Sequence, residues 1–254
     1  MNFEVSSQQE AEFKPEQRSK IINHLHQTLG SNPAIIAALL EGADAHQAVD
    51  EYSDIDVRII YEGNLSAAQS AVESSLGLIG VIDFKYVRPE AHGTRVLMHC
   101  AGTPKYLLVD VLLQPYLETE KMSRSDKVVL FDKRAVVSED FDEISEVKIR
   151  ERIEKIKANK ALRDIYVERE IKRGNFLEAL QQYQTLVLQP LVEILRLRYC
   201  PQYKDLQLKH ITKDLPPAVV AQLEDLYRVG SIAEIIEKKD KADELFLLNS
   251  SSLR

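Results

Sequence analysis

The sequence predicts an α+β fold: an N-terminal domain with a mixed sheet, residues 1–142, followed by an all-helical bundle domain, residues 143–254. Two observations predict it. Up to about residue 132, short apolar runs of strand length alternate with turn residues, whereas from about Glu143 the apolar residues recur at helical spacing with charges between them. Within the first part, turn residues join neighbouring runs as local hairpins without strict β-α-β repetition, which gives a mixed sheet. A chain of 254 residues is long enough for one large or two modest cores.

The elements follow in order. Pro15 opens a helix over residues 15–29, Ile21, Ile22, Leu25 and Leu29 form its apolar stripe, and Gly30 closes it. Strands are predicted at about 34–41 and 54–62, with a helix between Ser66 and Ser75. Further strands lie near 79–87, 94–100 and 106–114, and Gly102-Thr103-Pro104 has the turn chemistry to join the last two as a hairpin. The alternation in 79–87 puts Asp83 and Lys85 on the solvent side of a half-buried strand, and His99 reads as a hydrogen-bonded strand histidine. Val128–Asp132 is a further short strand. In the second part, Ile149, Ile153 and Ile156 mark one charge-rich helix to Arg173, stopped by Gly174-Asn175. A helix from Phe176 to Tyr199 is kinked at Pro190 and ended by Cys200-Pro201. Pro216-Pro217 opens another helix, and Ser231 caps the last.

Composition narrows the function classes. The hydrophobic share of 44% and the charged share of 29% are those of an ordinary globular protein. No apolar run approaches the length of a membrane span, and the N-terminus lacks the apolar core of a signal peptide. Cys100 and Cys200 match neither a zinc motif nor a disulfide framework, which fits a reducing cytoplasm. The net charge of −7 argues against a nucleic-acid partner, whose footprint is normally a basic face.

The chemistry concentrates in LLEGADAHQAVDEYSDIDVRIIYEG, residues 39–63. Asp54 and Asp56 are two residues apart at the entrance to an apolar run, so on a strand their carboxylates share one face while Ile55 and Val57 share the other. Adjacent carboxylates repel and bind protons more tightly unless a cation lies between them. An oxygen-only, negatively charged site suits Mg²⁺, above all when a nucleotide phosphate completes the coordination. The bland alternative is a solvated strand entrance. Asp110 is the single charge in the apolar run Tyr106–Leu113, and a lone Asp there needs a buried salt bridge, a strand edge or a metal site. Asp83 is the competing third carboxylate.

The string running from Glu41-Gly42-Ala43 to Tyr52-Ser53-Asp54-Ile55-Asp56 resembles the signature of the polymerase-beta-like nucleotidyltransferase superfamily. The resemblance implies that Asp54 and Asp56 hold the metals, two Mg²⁺ ions with bound nucleotide, and that Asp110 completes the triad beneath the attacking oxygen. It assigns the nucleotide phosphates to Gly42, Ala43 and Ser53. The serine usual after the glycine is Ala43 here, so one hydroxyl contact is missing, although Gly42 and the amides that follow can form an anion-binding nest. A nucleotidyltransferase domain followed by a bundle resembles the aminoglycoside-type small-molecule enzymes, where the bundle supplies part of the acceptor pocket. The implied activity is Mg²⁺-dependent transfer of a nucleoside monophosphate, AMP from ATP, to a hydroxyl of a small molecule. Two alternatives stay open: an antitoxin-type enzyme that modifies a protein or an RNA, and a non-catalytic nucleotide-binding relative, which Ala43 favours. Lys209, in a polar loop, reads as an exposed lysine or as a phosphate contact. The sequence leaves the acceptor and the oligomeric state open.

Overall fold

The computed structural model describes residues 15–118, 121–124, 127–138 and 145–251. The chain divides into two compact units, Met1–Asp142 and Glu143–Arg254. The boundary expected at 142/143 falls on residues 139–144, and the stretch read as lacking a signal peptide falls largely on residues 1–14; both lie outside the described residues.

The first unit is built on a six-stranded sheet. Its elements are α1 (Pro15–Gly30), β1 (Ile35–Leu40), the single turn α2 (Gly42–Ala45), β2 (Ile55–Tyr61), α3 (Leu65–Gly77), β3 (Ile82–Glu90), β4 (Gly93–Cys100), β5 (Val109–Pro115), β6 (Met122–Ser123), β7 (Val128–Asp132) and β8 (Val137–Ser138). The sheet order is β3-β4-β5-β2-β1-β7, while β6 and β8 pair separately. β2 and β5 run parallel, and the remaining neighbours in the large sheet are antiparallel, so the sheet is mixed. Alternation decides its two faces. Ile55, Val57 and Ile59 of β2 join Val109, Val111 and Leu113 of β5 and Ile21, Leu25 and Leu29 of α1 in one core, to which α3 adds Val72 and Leu76. On the opposite face Ile36, Leu39, Ile60 and Val136 form a smaller cluster. At the hairpin between β3 and β4, a Cβ on Gly93 would stand 2.1 Å from the Leu113 carbonyl oxygen, so only glycine lets β4 lie this close to β5.

Two expectations for this unit are corrected. β3 is not half-buried: Phe84 and Tyr86 on one side and Lys85 and Val87 on the other are all exposed. It is the edge strand, and its charges and Pro89 discourage further pairing. β5 starts at Val109 rather than near 106, because the Leu107 amide donates to the Pro104 carbonyl (2.9 Å) and holds the preceding residues in a turn.

The second unit is all helical: α4 (Glu146–Ala158), α5 (Lys160–Arg173), α6 (Phe176–Gln182), a π-helical segment (Tyr183–Leu188), α7 (Gln189–Tyr199), a 3₁₀ segment (Pro201–Leu206), α8 (Ile211–Asp214), α9 (Pro217–Tyr227) and α10 (Ile232–Ser250). Tyr183, Leu188, Leu191, Val192, Ile194 and Leu195 supply the centre of its core. The charge-rich stretch to Arg173 is two helices, not one. Asn159 breaks it, its side-chain amide donating to the Lys155 carbonyl (3.3 Å) in competition with the backbone. Gly174, in the left-handed region at φ 74°, ends α5. The irregularity expected at Pro190 takes the form of a π-helical turn just before it. Ser231 caps α10 by accepting from the Glu234 amide (3.2 Å). No helix among the described residues is long and apolar enough to cross a membrane.

Candidate active site

Asp54 immediately precedes β2, Asp56 is its second residue, and Asp110 is the second residue of β5. Parallel pairing puts Asp56 directly opposite Asp110, with Ile55 opposite Val109. These apolar neighbours point into the core shared with α1 and α3, which leaves the carboxylates on the other face. Asp54, Asp56 and Asp110 are half-buried and each offers an oxygen, all within 4.8 Å of one another. Asp83 lies on edge strand β3, its Oδ1 accepting from His99 Nδ1 (2.7 Å).

Sequence reasoning set a salt bridge against a metal site for Asp110, and the structure gives it features of both. Arg95 Nη1 on β4 donates to Asp110 Oδ2 (2.8 Å), while Oδ1 is buried and has no hydrogen-bond partner among the described residues. A buried carboxylate oxygen without a donor is costly. Burial pushes the Asp110 carboxyl above the ordinary aspartate range, Arg95 pulls it back, and the Asp54 charge pushes it further up. An oxygen-only set of three carboxylates with one buried oxygen unmatched fits a hard divalent cation such as Mg²⁺.

The turn after β1 is shaped around the same carboxylates. Gly42 has φ +57°, and a Cβ there would stand 1.9 Å from Asp56 Oδ2. Glycine is therefore needed both for the backbone conformation and for the close approach of the carboxylate. Ala43 is buried at 6% exposure, and the Glu41 amide donates to the Asp56 carbonyl (3.0 Å), tying the turn to β2. The Ser53 hydroxyl donates to Asp50 Oδ1 (2.8 Å) and accepts from the Asp50 amide (3.0 Å), so it closes the local turn. Lys209 lies in the helical unit with an exposed side chain.

Besides Arg95, two basic residues that the sequence pattern did not single out support this site. Arg18 on α1 is 4% exposed. Its Nη1 donates to the Ser53 carbonyl (2.8 Å) and its Nη2 to the Asp54 carbonyl (2.6 Å). The same guanidinium grips the Asp44 carboxylate through Nη2 and through Nε (3.2 Å). One side chain thus joins the turn after β1 to the backbone of the first carboxylate. The signal was there: Arg18 stands three residues before Ile21 and seven before Leu25, on the apolar stripe of the helix. Arg58, two residues after Asp56 on β2, is held by Glu41 Oε1 (2.7 Å) and Gln114 Oε1 (2.7 Å).

No family model matches the chain, and no curated protein matches it either. Among solved structures it is similar to an aminoglycoside 6-adenyltransferase from Bacillus subtilis, at 14% identity over 94% of this chain and 90% of that one, with a TM-score of 0.43. It is also similar to the spectinomycin adenyltransferase AAD(9) from Enterococcus faecialis with ATP and spectinomycin, at 11% identity over 93% and 97% of the two chains and a TM-score of 0.31. A third is the CdnE cyclic dinucleotide synthase from Elizabethkingia meningoseptica with GTP and Apcpp, at 13% identity over 90% of each chain and a TM-score of 0.31.

Proposed function

We propose that this protein transfers a nucleoside monophosphate from a nucleoside triphosphate, ATP by preference, to a hydroxyl group of a small molecule. One observation carries the reading: three half-buried carboxylates, on two paired strands and the residue before one of them, offer oxygens within 4.8 Å of one another. Three like charges so close destabilise a fold unless a cation joins them. Asp54, Asp56 and Asp110 Oδ1 would hold Mg²⁺, which when bound neutralises the triphosphate and polarises its α-phosphate. The turn at Gly42 and Ala43 would receive the β- and γ-phosphates on its backbone amides. The acceptor oxygen bonds to the α-phosphorus as the bond to the bridging oxygen breaks. Pyrophosphate leaves with that electron pair, and the hydroxyl proton passes to the Asp110 carboxylate as general base. The same chemistry on a protein or an RNA end remains an alternative, which the net charge of −7 counts against more firmly for RNA.

The test is a mass-spectrometric screen of several triphosphates against a panel of amino-sugars and other polyols, beside thermal shifts with Mg²⁺ or Mn²⁺ alone and with a nucleotide. The metal alone should raise the melting temperature modestly, and metal with nucleotide clearly more. Asp54→Asn and Asp56→Asn should abolish the joint shift with the fold intact; a joint shift equal to wild type in either variant sinks the assignment.

A second reading, a nucleotide-binding relative without turnover, is favoured by Ala43 and by the engagement of Ser53 Oγ with Asp50. A hydroxyl bonded to phosphate contributes about 1.5–3 kcal/mol. If the site has compensated elsewhere, Ala43→Ser should change nucleotide affinity by less than about threefold. A gain of about tenfold or more by calorimetry favours the lapsed module.

A further inference from the structure

Asp110 has a different neighbour on each side. On β2 it faces Asp56, and on β4 it faces Leu97. Arg95, two residues before Leu97 on β4, lies on the same face of the sheet and reaches Asp110 Oδ2 through Nη1 at 2.8 Å. It is itself held from behind: its Nε donates to Glu90 Oε1 at 3.0 Å, and Arg88 donates to the same oxygen through Nη2 at 3.0 Å. Glu90 and Gly93 are paired at the end of the hairpin that Gly93 seats against β5. A chain of charges, Arg88 to Glu90 to Arg95 to Asp110, therefore runs from a braced hairpin to one oxygen of one carboxylate, and the other oxygen, Oδ1, is buried without a hydrogen-bond partner among the described residues.

On the nucleotidyl-transfer reading above, we propose that Arg95 is the positioning residue of the carboxylate cluster. By occupying Oδ2 it fixes the rotation of the Asp110 carboxylate and leaves a single oxygen, Oδ1, for the cation and the acceptor hydroxyl. The two consequences have opposite signs, and that makes the role testable. A guanidinium beside a cation site weakens cation binding by like-charge repulsion. It also prevents Asp110 from turning or chelating with both oxygens, and catalysis is sensitive to such misplacement, losing about 10²-fold for a shift of about 1 Å. A brace that served only the fold would produce no such split.

The experiment compares the full-length wild type with Arg95→Gln and Arg95→Lys. Mn²⁺ affinity is read by electron paramagnetic resonance, with and without a non-hydrolysable nucleotide. Turnover is read as pyrophosphate release, and the metal-free melting temperature is recorded alongside. Arg95→Gln should bind Mn²⁺ as tightly as wild type or up to about tenfold more tightly, while kcat falls by about 10²-fold and the nucleotide KM stays within about threefold. Arg95→Lys keeps the charge but cannot fork between Asp110 and Glu90, so its kcat should lie between the two. The proposal is overturned if kcat of Arg95→Gln stays within about threefold of wild type, or if its Mn²⁺ affinity falls in step with its melting temperature. Should Arg95→Gln fail to fold, Arg95→Lys decides: wild-type turnover overturns the proposal, and about tenfold lower turnover with unchanged Mn²⁺ affinity sustains it. Failure of the underlying reading looks different, since wild type itself would then bind Mn²⁺ with nucleotide no better than Asp54→Asn does.

Discussion

Arg18→Met removes the side chain that joins the two halves of the site. The Arg18 guanidinium makes four contacts: two with the Asp44 carboxylate and one each with the Ser53 and Asp54 carbonyls. The side chains of the ion pair are 5% and 12% exposed, so deletion of the cation leaves a nearly buried carboxylate with no counter-charge. Breaking a buried pair from one side costs about 3–5 kcal/mol. The unmatched carbonyls add about 1 kcal/mol each where water does not reach them. A total of about 5 kcal/mol corresponds to a fall of about 10–20 °C in the melting of the first unit, by calorimetry on the whole chain. The double variant Arg18→Met/Asp44→Leu separates charge from anchoring. With both partners apolar it should recover at least about 1–2 kcal/mol over the single variant. It should still bind Mn²⁺ with nucleotide about tenfold more weakly than wild type, because the backbone of Asp54 has lost its anchor. A single variant within 1 kcal/mol of wild type, or a double variant no more stable than the single, would refute the reasoning.

Three further perturbations test separate parts of the molecule. Gly42→Ala adds a Cβ 1.9 Å from Asp56 Oδ2 at a φ of +57°. The strained backbone costs about 1 kcal/mol, and the displaced carboxylate should remove the thermal shift given by Mn²⁺ with nucleotide; an undiminished shift counts against the close approach. For Asp110 the folded carboxyl holds its proton more tightly than the unfolded one, chiefly because it is buried. Its contribution to stability is therefore fully present below the unfolded value of about 4 and is lost as pH rises through the folded value. In metal-free urea titrations Asp110→Asn should gain on wild type as pH rises from about 4 to 7, and a difference that is flat with pH contradicts this. In the helical unit Lys160 and Lys239 each bridge Asp164 and Asp243, at 2.6–3.1 Å. Lys239→Met should cost about 1–3 kcal/mol, discounted because both carboxylates are about a quarter exposed. Burial alone would raise the Asp164 carboxyl, but Lys160 and Lys239 hold it below its ordinary value. The ring's contribution should therefore be present above about pH 4 and fade as pH falls through the folded value, so acid should narrow the gap between wild type and Lys239→Met.

What the sequence disclosed follows from the range of the interactions involved. Alternation in Ile55–Tyr61, the cap at Ser231 and the stops at Gly30 and Gly174 are local, and each left a local mark. So did the shared face of Asp54 and Asp56, since period 2 is a property of any strand. The break at Asn159 was hidden because apolar spacing continues on both sides of it, while the side-chain bonds at the end of the first helix, from Asn159 to the Lys155 carbonyl and from Arg163 to the Ile156 carbonyl, leave no periodic mark. The exposure of both sides of β3 was hidden for a different reason. Its residues alternate as if one side were covered, and only the sheet order reveals an edge strand. The role of Arg95 is of that second kind, because β4 must lie against β5 in one register before residue 95 can reach residue 110. Arg18 is an intermediate case: its place on the apolar stripe was legible, but its partners lie 26 to 36 residues away.

The charges around the site follow one rule. Arg18 is bonded to Asp44, Arg58 to Glu41, and Arg95 to both Glu90 and Asp110. Each of these guanidinium groups is engaged by a carboxylate, and Arg95 reaches Asp110 through a single oxygen. Arginine cannot shed its proton, so the scaffold cannot adjust its own charge to match a ligand. The adjustment falls to the aspartates, which can bind a proton or a cation. Burial has already moved Asp110 toward the proton, and under the proposed function a divalent ion would serve all three carboxylates together. On that proposal, exchange of one of these aspartates for an apolar residue should stabilise the metal-free fold, since the adjoining positions Ile55, Val57, Val109 and Val111 are apolar and buried.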